Sequence, residues 1–422
     1  MLARWLGLAA ALLAAVPLAS GCAASTAPDT AEATGGALSV YSSLPRQGPD
    51  APISEQIVGG EKLALAQAGG RAGSFKIGYV SLDDADPKKG AWDPGITASN
   101  AKRAAQDPST IAYLGDFNSA ATAISLPLIN GAGILQVSPS SPYAGLTSSL
   151  DAGQDEPERF YPSGRRTFAR LAPGDSAESL AQLQLMKSLG IHSVYVLDDQ
   201  NPFSAPLATI VAGDAKSAGI RLTGRESVPT TRGAAYEKLV EKIANSGADA
   251  VFIAGEGTPA AAGLWQALHR ADPQLKLLAS SGMLTPRFVS NLGAAGPSSY
   301  LTTPLLSDSS YPAAAQRVLA DYHRSFNTPA DPWALYGYEA MKLVLDAVAA
   351  SGPHATDRRE VISRVFKAPP RESVLGPLAI RPNGERTLSP YGVDTVKDGK
   401  AVFLRAIDLA HGDGPRQLLV IR

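Results

Sequence analysis

The chain has 422 residues, 45% of them hydrophobic, and 38 Lys and Arg against 39 Asp and Glu leave a formal charge of −1. That is a globular composition long enough for about two or three domains, and its near-neutral balance, with no basic patch interleaved with aromatics, excludes a nucleic-acid footprint. A single cysteine excludes an internal disulfide, and five scattered histidines (His192, His269, His323, His354 and His411) argue against a zinc cluster.

Residues 1–21 read as an export signal: Arg4, an apolar stretch from Leu6 to Leu18 too short to span a bilayer, then Ala19-Ser20-Gly21 before Cys22. A lone cysteine after small residues resembles a bacterial lipobox, which implies cleavage before Cys22 and a lipid on it. Ala19 departs from that pattern, where Leu is commonest; ordinary cleavage near Ala23 or Ala24 would instead discard Cys22. Residues 22–36, rich in Ala, Thr, Ser and Gly, read as a flexible tether.

Leu38 to Ser42 is a predicted strand, followed by a polar loop, Ser43 to Pro52, and a helix from Ile57 to Ala68. Phe75 to Ser81 is a strand running into the acidic turn Asp83-Asp84-Ala85-Asp86, which lacks EF-hand spacing and reads as solvated. A helix over Pro94 to Ala105 leads to the central unit: strand Thr110–Leu114, turn Gly115 to Ser119, helix Ala120–Ile129, strand Ile134–Val137 and turn Ser138 to Tyr143. In open parallel sheets, ligands sit beyond the carboxyl ends of the strands, where both turns lie. Ser119 opens the helix, whose free N–H groups favour an anion, and Ser140 and Ser141 add hydroxyls. The plainer reading makes Asn118 or Ser119 an N-cap and the serines turn formers.

Residues 145–170 read as a polar excursion ending in a crossover strand, Thr167 to Leu171. A second series follows: helix Gly174–Leu189 with Asp175 or Ser176 as N-cap, strand Val194–Leu197 ending in Asp198-Asp199, helix Ser204–Gly219, strand Arg221–Val228, helix Tyr236–Ser246 and strand Ala250–Ala254. Gly255-Glu256-Gly257-Thr258-Pro259-Ala260 then matches the dinucleotide pattern GxGxx(G/A), but Ala279-Ser280-Ser281 stands where its acidic residue belongs. Strands Leu275–Ala279 and Ser299–Thr303 flank a short helix, Arg287–Leu292. Three helices (Pro312–Phe326, Pro332–Ala350, Arg358–Ala368) and a strand-like tail close the chain. No GxSxG elbow and no GxxxxGK[ST] loop occurs, which argues against hydrolase and nucleotide chemistry. Two strand–helix series with helices returning after the second suggest two lobes with the chain crossing between them, and a ligand cleft that closes by hinge motion.

The order and spacing of VSLDDADPK (80–88), YLGDFNSAAT (113–122), GILQVSPSSP (133–142), DDQNPFSAPLA (198–208), ADPWALYGYEAMKLVLDAV (330–348) and VKDGKAVFL (396–404) resemble type I periplasmic binding proteins of the branched-chain amino acid (Leu/Ile/Val) transport class. The resemblance covers nearly all of residues 37–404. It implies an α/β fold of two doubly wound parallel-sheet lobes joined by a three-strand hinge, a Venus-flytrap, with lobe 1 over 37–170 and 303–380 and lobe 2 over 171–302 and 381–422. It also implies a small-molecule ligand, no catalysis and no cofactor. Such a protein would be an exported monomer held to the membrane by its lipid alone, delivering its ligand to an ABC permease and ATPase; the alternative is a ligand sensor that signals to a partner protein through the same cleft. Carried across, Ser119, with Asn118 beside it, and the loop of Ser140 and Ser141 match first-lobe contacts to the ligand. Gln47 falls where an aromatic often covers the ligand. Phe203 matches a second-lobe aromatic, and Glu256 lies where another aromatic is usual. Ser281 stands where amino-acid binders place an acid for the ammonium group and cannot supply one, although Glu256 could reach, so the amino-acid specificity does not carry over with the fold.

Overall fold

The computed structural model describes residues 32–150, 152–228, 236–387 and 390–409. The export signal and Cys22 lie outside them. Among the described residues no helix is long and apolar enough to cross a membrane.

The first series runs β1 (Leu38–Leu44), α1 (Ala51–Gln67), β2 (Arg71–Ala72), β3 (Phe75–Asp83), β4 (Ala85–Asp86), β5 (Ala91–Trp92), α2 (Pro94–Gln106), β6 (Thr110–Gly115), α3 (Ser119–Gly131), β7 (Leu135–Ser138) and β8 (Phe168–Arg170). Its six-stranded sheet has the order β2-β3-β1-β6-β7-β8, parallel except for β2. Order 3-1-6 around β1 places a switch point there, and β6 and β7 are buried at every position, as strands covered on both faces must be. α1 begins six residues before the expected Ile57. Pro52, which looked like loop, occupies its first turn, where a proline's missing N–H costs nothing.

The second series runs α4 (Asp175–Ser188), β9 (Ser193–Asp198), α5 (Ala205–Ser217), β10 (Arg221–Ser227), α6 (Glu237–Ala244), β11 (Ala250–Ala254), α7 (Pro259–Ala271), β12 (Lys276–Ala279), α8 (Pro286–Ser290) and β13 (Ser299–Thr303). The chain then forms α9 (Ala313–Phe326), α10 (Trp333–Ser351), α11 (Arg358–Phe366), the hairpin β14 (Arg371–Ser373) and β15 (Gly376–Leu378), and finally β16 (Tyr391–Lys397) and β17 (Lys400–Ile407). The second sheet, β10-β9-β11-β12-β13-β16-β17, is parallel up to β13, and β16 and β17 add to it antiparallel. Asp398 and Gly399 both take positive φ (51° and 70°) in the two-residue β16–β17 turn, the geometry that matches strand twist. Each lobe is thus an α/β layer structure, and both sheets are mixed rather than purely parallel. The N-cap of α4 is Gly174, not Asp175 or Ser176; the Asp175 carboxylate instead accepts the Ala144 N–H at 2.9 Å.

Helices α9 to α11 return to the first sheet, where Val318, Leu335, Met341 and Val361 share one core with Val40, Ile111 and Leu135. The second sheet has a core on each face, one around Val194, Phe252 and Leu185, the other around Tyr195, Val251 and Trp265. Trp265 is a core residue, as its place inside a helix suggests: fully buried, it donates to Ser299 Oγ at 2.8 Å and meets Phe288 edge-on.

Candidate functional site

The turns after the first-lobe strands converge because β1, β3, β6 and β7 lie side by side with their carboxyl ends together. Asn118 occupies the N-cap position of α3 in extended geometry, yet its side chain makes no cap bond; its Oδ1 is buried without a partner. Ser119, 9% exposed, accepts the Tyr143 N–H at 3.2 Å and so ties the two turns together. Ser140 is 8% exposed; its N–H goes to Ser138 Oγ (3.1 Å), and its hydroxyl has no partner among the described residues. Ser141 differs. It is fully buried at φ +52°, and its hydroxyl meets Thr122 Oγ1 at 2.6 Å and donates to the Asp116 carbonyl at 3.0 Å. Its hydroxyl shapes the loop from within.

Beneath this loop lies Arg170, fully buried at the end of β8. Its Nη1 donates to the carbonyls of Ser141 (2.5 Å) and Tyr143 (2.9 Å), its Nη2 to Thr147 Oγ1 (2.5 Å) and its Nε to Glu385 (3.0 Å). A planar donor fork with every side occupied holds the loop to the segment that crosses back from the last helices. Neither Arg170 nor Tyr143 stood among the expected site residues; a buried Arg at the end of a short strand leaves no local sequence signal.

In the second lobe the turn after β9 and the turn after β11 interlock. Glu256 N–H donates to Asp199 Oδ2 (2.9 Å), Asn201 Nδ2 donates to Glu256 Oε1 (3.1 Å), and Asn201 Oδ1 accepts the Phe203 N–H (2.9 Å). Burial, then Asp199 and Asp50, raise the Glu256 pKa; Asn201 partly offsets this. Asp50 comes from the first lobe, one residue before α1. Burial raises its pKa too, and the Asn118 amide beside it opposes the rise. Asp50 thus adds to the rise at Glu256 from the opposite lobe, and no basic group offsets it there.

Ser281 has an acid behind it after all. Glu178, in the first turn of α4 and fully buried, accepts Ser281 N–H at 2.6 Å and Ser281 Oγ at 2.8 Å, and Thr302 Oγ1 at 2.6 Å. Burial raises its pKa, with Thr302 and Ser281 pulling the other way. These donors use the carboxylate to fix the turn. Gln47 lies in the first lobe, its Nε2 on Asp83 Oδ2 at 2.7 Å.

The lobes touch where Phe203 meets Tyr143 edge-on, ring centroids 5.3 Å apart. Beside that contact is a 420 Å³ concavity lined by Trp92, Ala120, Ile124, Arg159, Phe160 and Phe203, among others. Arg159 and Phe160 belong to the polar excursion, which thus borders the junction of the lobes. A larger concavity of 840 Å³, around Tyr41, Lys102 and Arg103, lies on the outer face of α2, away from the strand ends, and carries no argument about the cleft.

Packing sets two of the loops. The glycines of the GxGxx(G/A) turn answer to packing: a Cβ on Gly257 would lie 2.3 Å from the Met283 carbonyl, and one on Gly255 2.9 Å from the Asp199 carboxyl. Neighbouring turns fill the space that a pyrophosphate would need. The acidic turn is not simply solvated either: Asp86 caps the β4–β5 turn, while Asp84 is fully buried. Among the described residues, no group of three or more His, Cys, Asp and Glu side chains is placed to hold a metal.

The sequence profile of the family described as periplasmic binding protein matches residues 42–401. An amino acid binding protein of Pseudomonas aeruginosa is 25% identical over 364 residues, covering 83% of this chain and 87% of that one. Among solved structures, a leucine binding protein of Thermotoga maritima superposes with a TM-score of 0.73 at 19% identity, over 88% of this chain and 99% of that one. A solute binding protein from Rhodopseudomonas palustris, solved with p-hydroxybenzoic acid, gives 0.71 at 16% identity, over 92% and 100%.

Proposed function

Because the chain belongs to the periplasmic binding protein family, whose members bind rather than transform their ligands, we propose that it captures an amino acid between its lobes and delivers it to an ABC permease. The observation that carries the ligand class is that Asp50 of the first lobe adds to the raised pKa of Glu256 in the second, with no base offsetting either rise. An ammonium group between them would remove the repulsion that closure brings. The ligand's carboxylate would take the other end, at the N-terminus of α3 with Ser119 and Ser140. Phe203 would cover the ligand's flank, and Asn118 Oδ1 would accept from it. Gln47 and Ser281 would act at one remove, through Asp83 and Glu178. A carboxylate without an ammonium group, such as a benzoate, leaves the acids facing each other and is disfavoured. Upstream, Cys22 would carry the lipid that holds the protein at the outer face of the cell membrane; Cys22→Ala would then release it from the membrane fraction.

The test is a thermal-shift screen of the mature protein against amino acids, amides, aromatic and aliphatic carboxylates, and sugars. A ligand at 100 times its Kd adds about 2.7 kcal/mol of stability. Amino acids are expected to raise the melting temperature, and Glu256→Gln to lose most of that shift. Hits confined to carboxylates lacking an amino group would overturn the ammonium assignment. A response to sugars alone would overturn the whole site.

A further inference from the structure

A second acidic group, Asp84 with Asp116, lies beneath the ligand turns, and its carboxylates make no bond to Ser119, Ser140 or Ser141. Asp84, just past β3, is fully buried, and neither oxygen of its carboxylate has a hydrogen-bond partner. Its backbone is pinned on both sides: its N–H donates to the Leu44 carbonyl (3.3 Å), and its carbonyl accepts the Asp93 N–H (2.8 Å). Asp116 is the acid that acts on it most strongly, also fully buried, with Tyr113 OH on one oxygen at 2.9 Å and Ser125 Oγ on the other. Burial first, and Asp116 next, push Asp84 above the ordinary carboxylate range, and burial does the same to Asp116; no Lys, Arg or His contributes to either.

An independent group points the same way. Thr97 is fully buried and its hydroxyl has no partner. Thr97 and Asn100 lie three apart on one face of α2. Asn100 Nδ2 reaches the Asp83 carbonyl (2.9 Å) and Ser43 Oγ (3.0 Å), and Asp93, which caps α2, bonds the Asp84 backbone. The first turn of α2 is therefore laid over residues 83 and 84, with the Thr97 hydroxyl on that side. The unpartnered groups here are all oxygen, both Asp84 carboxylate oxygens and the Thr97 hydroxyl, while each Asp116 oxygen takes one donor and keeps a second lone pair. Buried carboxylates without donors are rare because they lose hydration and gain nothing in return.

We propose that Asp84 and Asp116, with Thr97, hold a hard divalent cation beneath the ligand turns. Oxygen donors alone select a hard ion, and two carboxylates match a charge of two. Calcium fits a fully buried site better than magnesium, because its coordination is flexible and it sheds water more readily. The ion would also brace the ligand loop, since the Asp116 carbonyl accepts from both Ser138 Oγ (2.7 Å) and Ser141 Oγ. This site is independent of which ligand the cleft takes.

The test uses the mature protein stripped with a chelator and then titrated with calcium. A saturable rise in melting temperature of about 3–5 °C is expected at saturating calcium, with no comparable rise in magnesium. Terbium at the site should luminesce through Tyr113 and be displaced by calcium. Asp84→Asn should lose both signals while melting no lower than the wild type in chelator, because the amide replaces a carboxyl that burial favours in its protonated form. Thr97→Val, which keeps the side-chain shape, should weaken calcium about tenfold, and serves if Asp84→Asn does not fold. A wild-type melt that calcium leaves unmoved, or a calcium shift retained by both variants, overturns the site.

Discussion

Buried acids set the character of this protein residue by residue. Glu61, in α1, shows the general case: fully buried, it has Tyr79 OH on one oxygen at 2.5 Å and nothing on the other. Burial raises its pKa to about 7, with Tyr79 and Ser42 opposing. The sign follows. The folded state keeps a proton that the unfolded chain gives up near its ordinary value of 4.5, so the contribution of Glu61 to stability is full below that value and is lost as pH rises toward about 7. Each such group adds at most about 1.4 kcal/mol per pH unit of slope. In denaturation series between pH 4.5 and 7, Glu61→Gln should flatten the fall in stability. An unchanged slope would place the effect elsewhere. Asp175, raised to about 8 by burial against the pull of the Ala144 N–H and Arg170, adds to the fall over a wider window.

The tightest contact between elements is α1 on α10, where backbones approach with no side chain between them. An ideal Cβ on Gly337 would lie 2.0 Å from the Ile57 carbonyl, and one on Gly60 2.0 Å from the Ala334 carbonyl. Neither glycine has positive φ; the reason for glycine is approach, as at small-residue helix crossings. Gly337→Ala improves helix propensity by about 1 kcal/mol. It also forces two backbones apart, and overpacking of that kind costs about 1–3 kcal/mol. We expect net destabilisation, read as a lowered midpoint in urea with the m-value unchanged; a stabilised variant would mean that α10 shifts freely. Because α10 carries Trp333, which meets Phe117 edge-on at 5.8 Å, the same shift should loosen the turn that holds Asn118 and Ser119.

Across the whole molecule, the Tyr143–Phe203 ring pair joins the two lobes beside the cleft. The Tyr143–Phe203 contact is of the kind that contributes about 1 kcal/mol beyond area burial, which is about a fivefold bias in an open–closed equilibrium. A ligand shifts that equilibrium only by its preference for the closed form. Phe203→Ala should therefore weaken ligand binding about fivefold and enlarge the apparent radius in X-ray scattering without ligand. An unchanged radius would show that the ring contact does not bias closure.

Much of this was open to the sequence alone, for a physical reason. Strands buried on both faces must be continuous apolar runs, and helices between them must repeat apolar positions at helical spacing, so alternation of the two patterns reports an α/β fold in one dimension. The strand ends, where turns gather, report a cleft in the same way. Thus Ser119, Ser140, Phe203 and Glu256 were legible as turn residues beyond strands. What lay outside reach was any property that depends on residues far apart in the chain. Whether a hydroxyl is taken up inside the loop, like Ser141, or left without a partner among the described residues, like Ser140, depends on Thr122 and Asp116. That Ser281 leans on a carboxylate depends on Glu178, more than a hundred positions away. Asp84 looks like surface in a string of acids, and only the packing of α2 over β3 buries it. Backbone periodicity is a local property of sequence; burial of a polar atom and the identity of its partner are decided by tertiary contact.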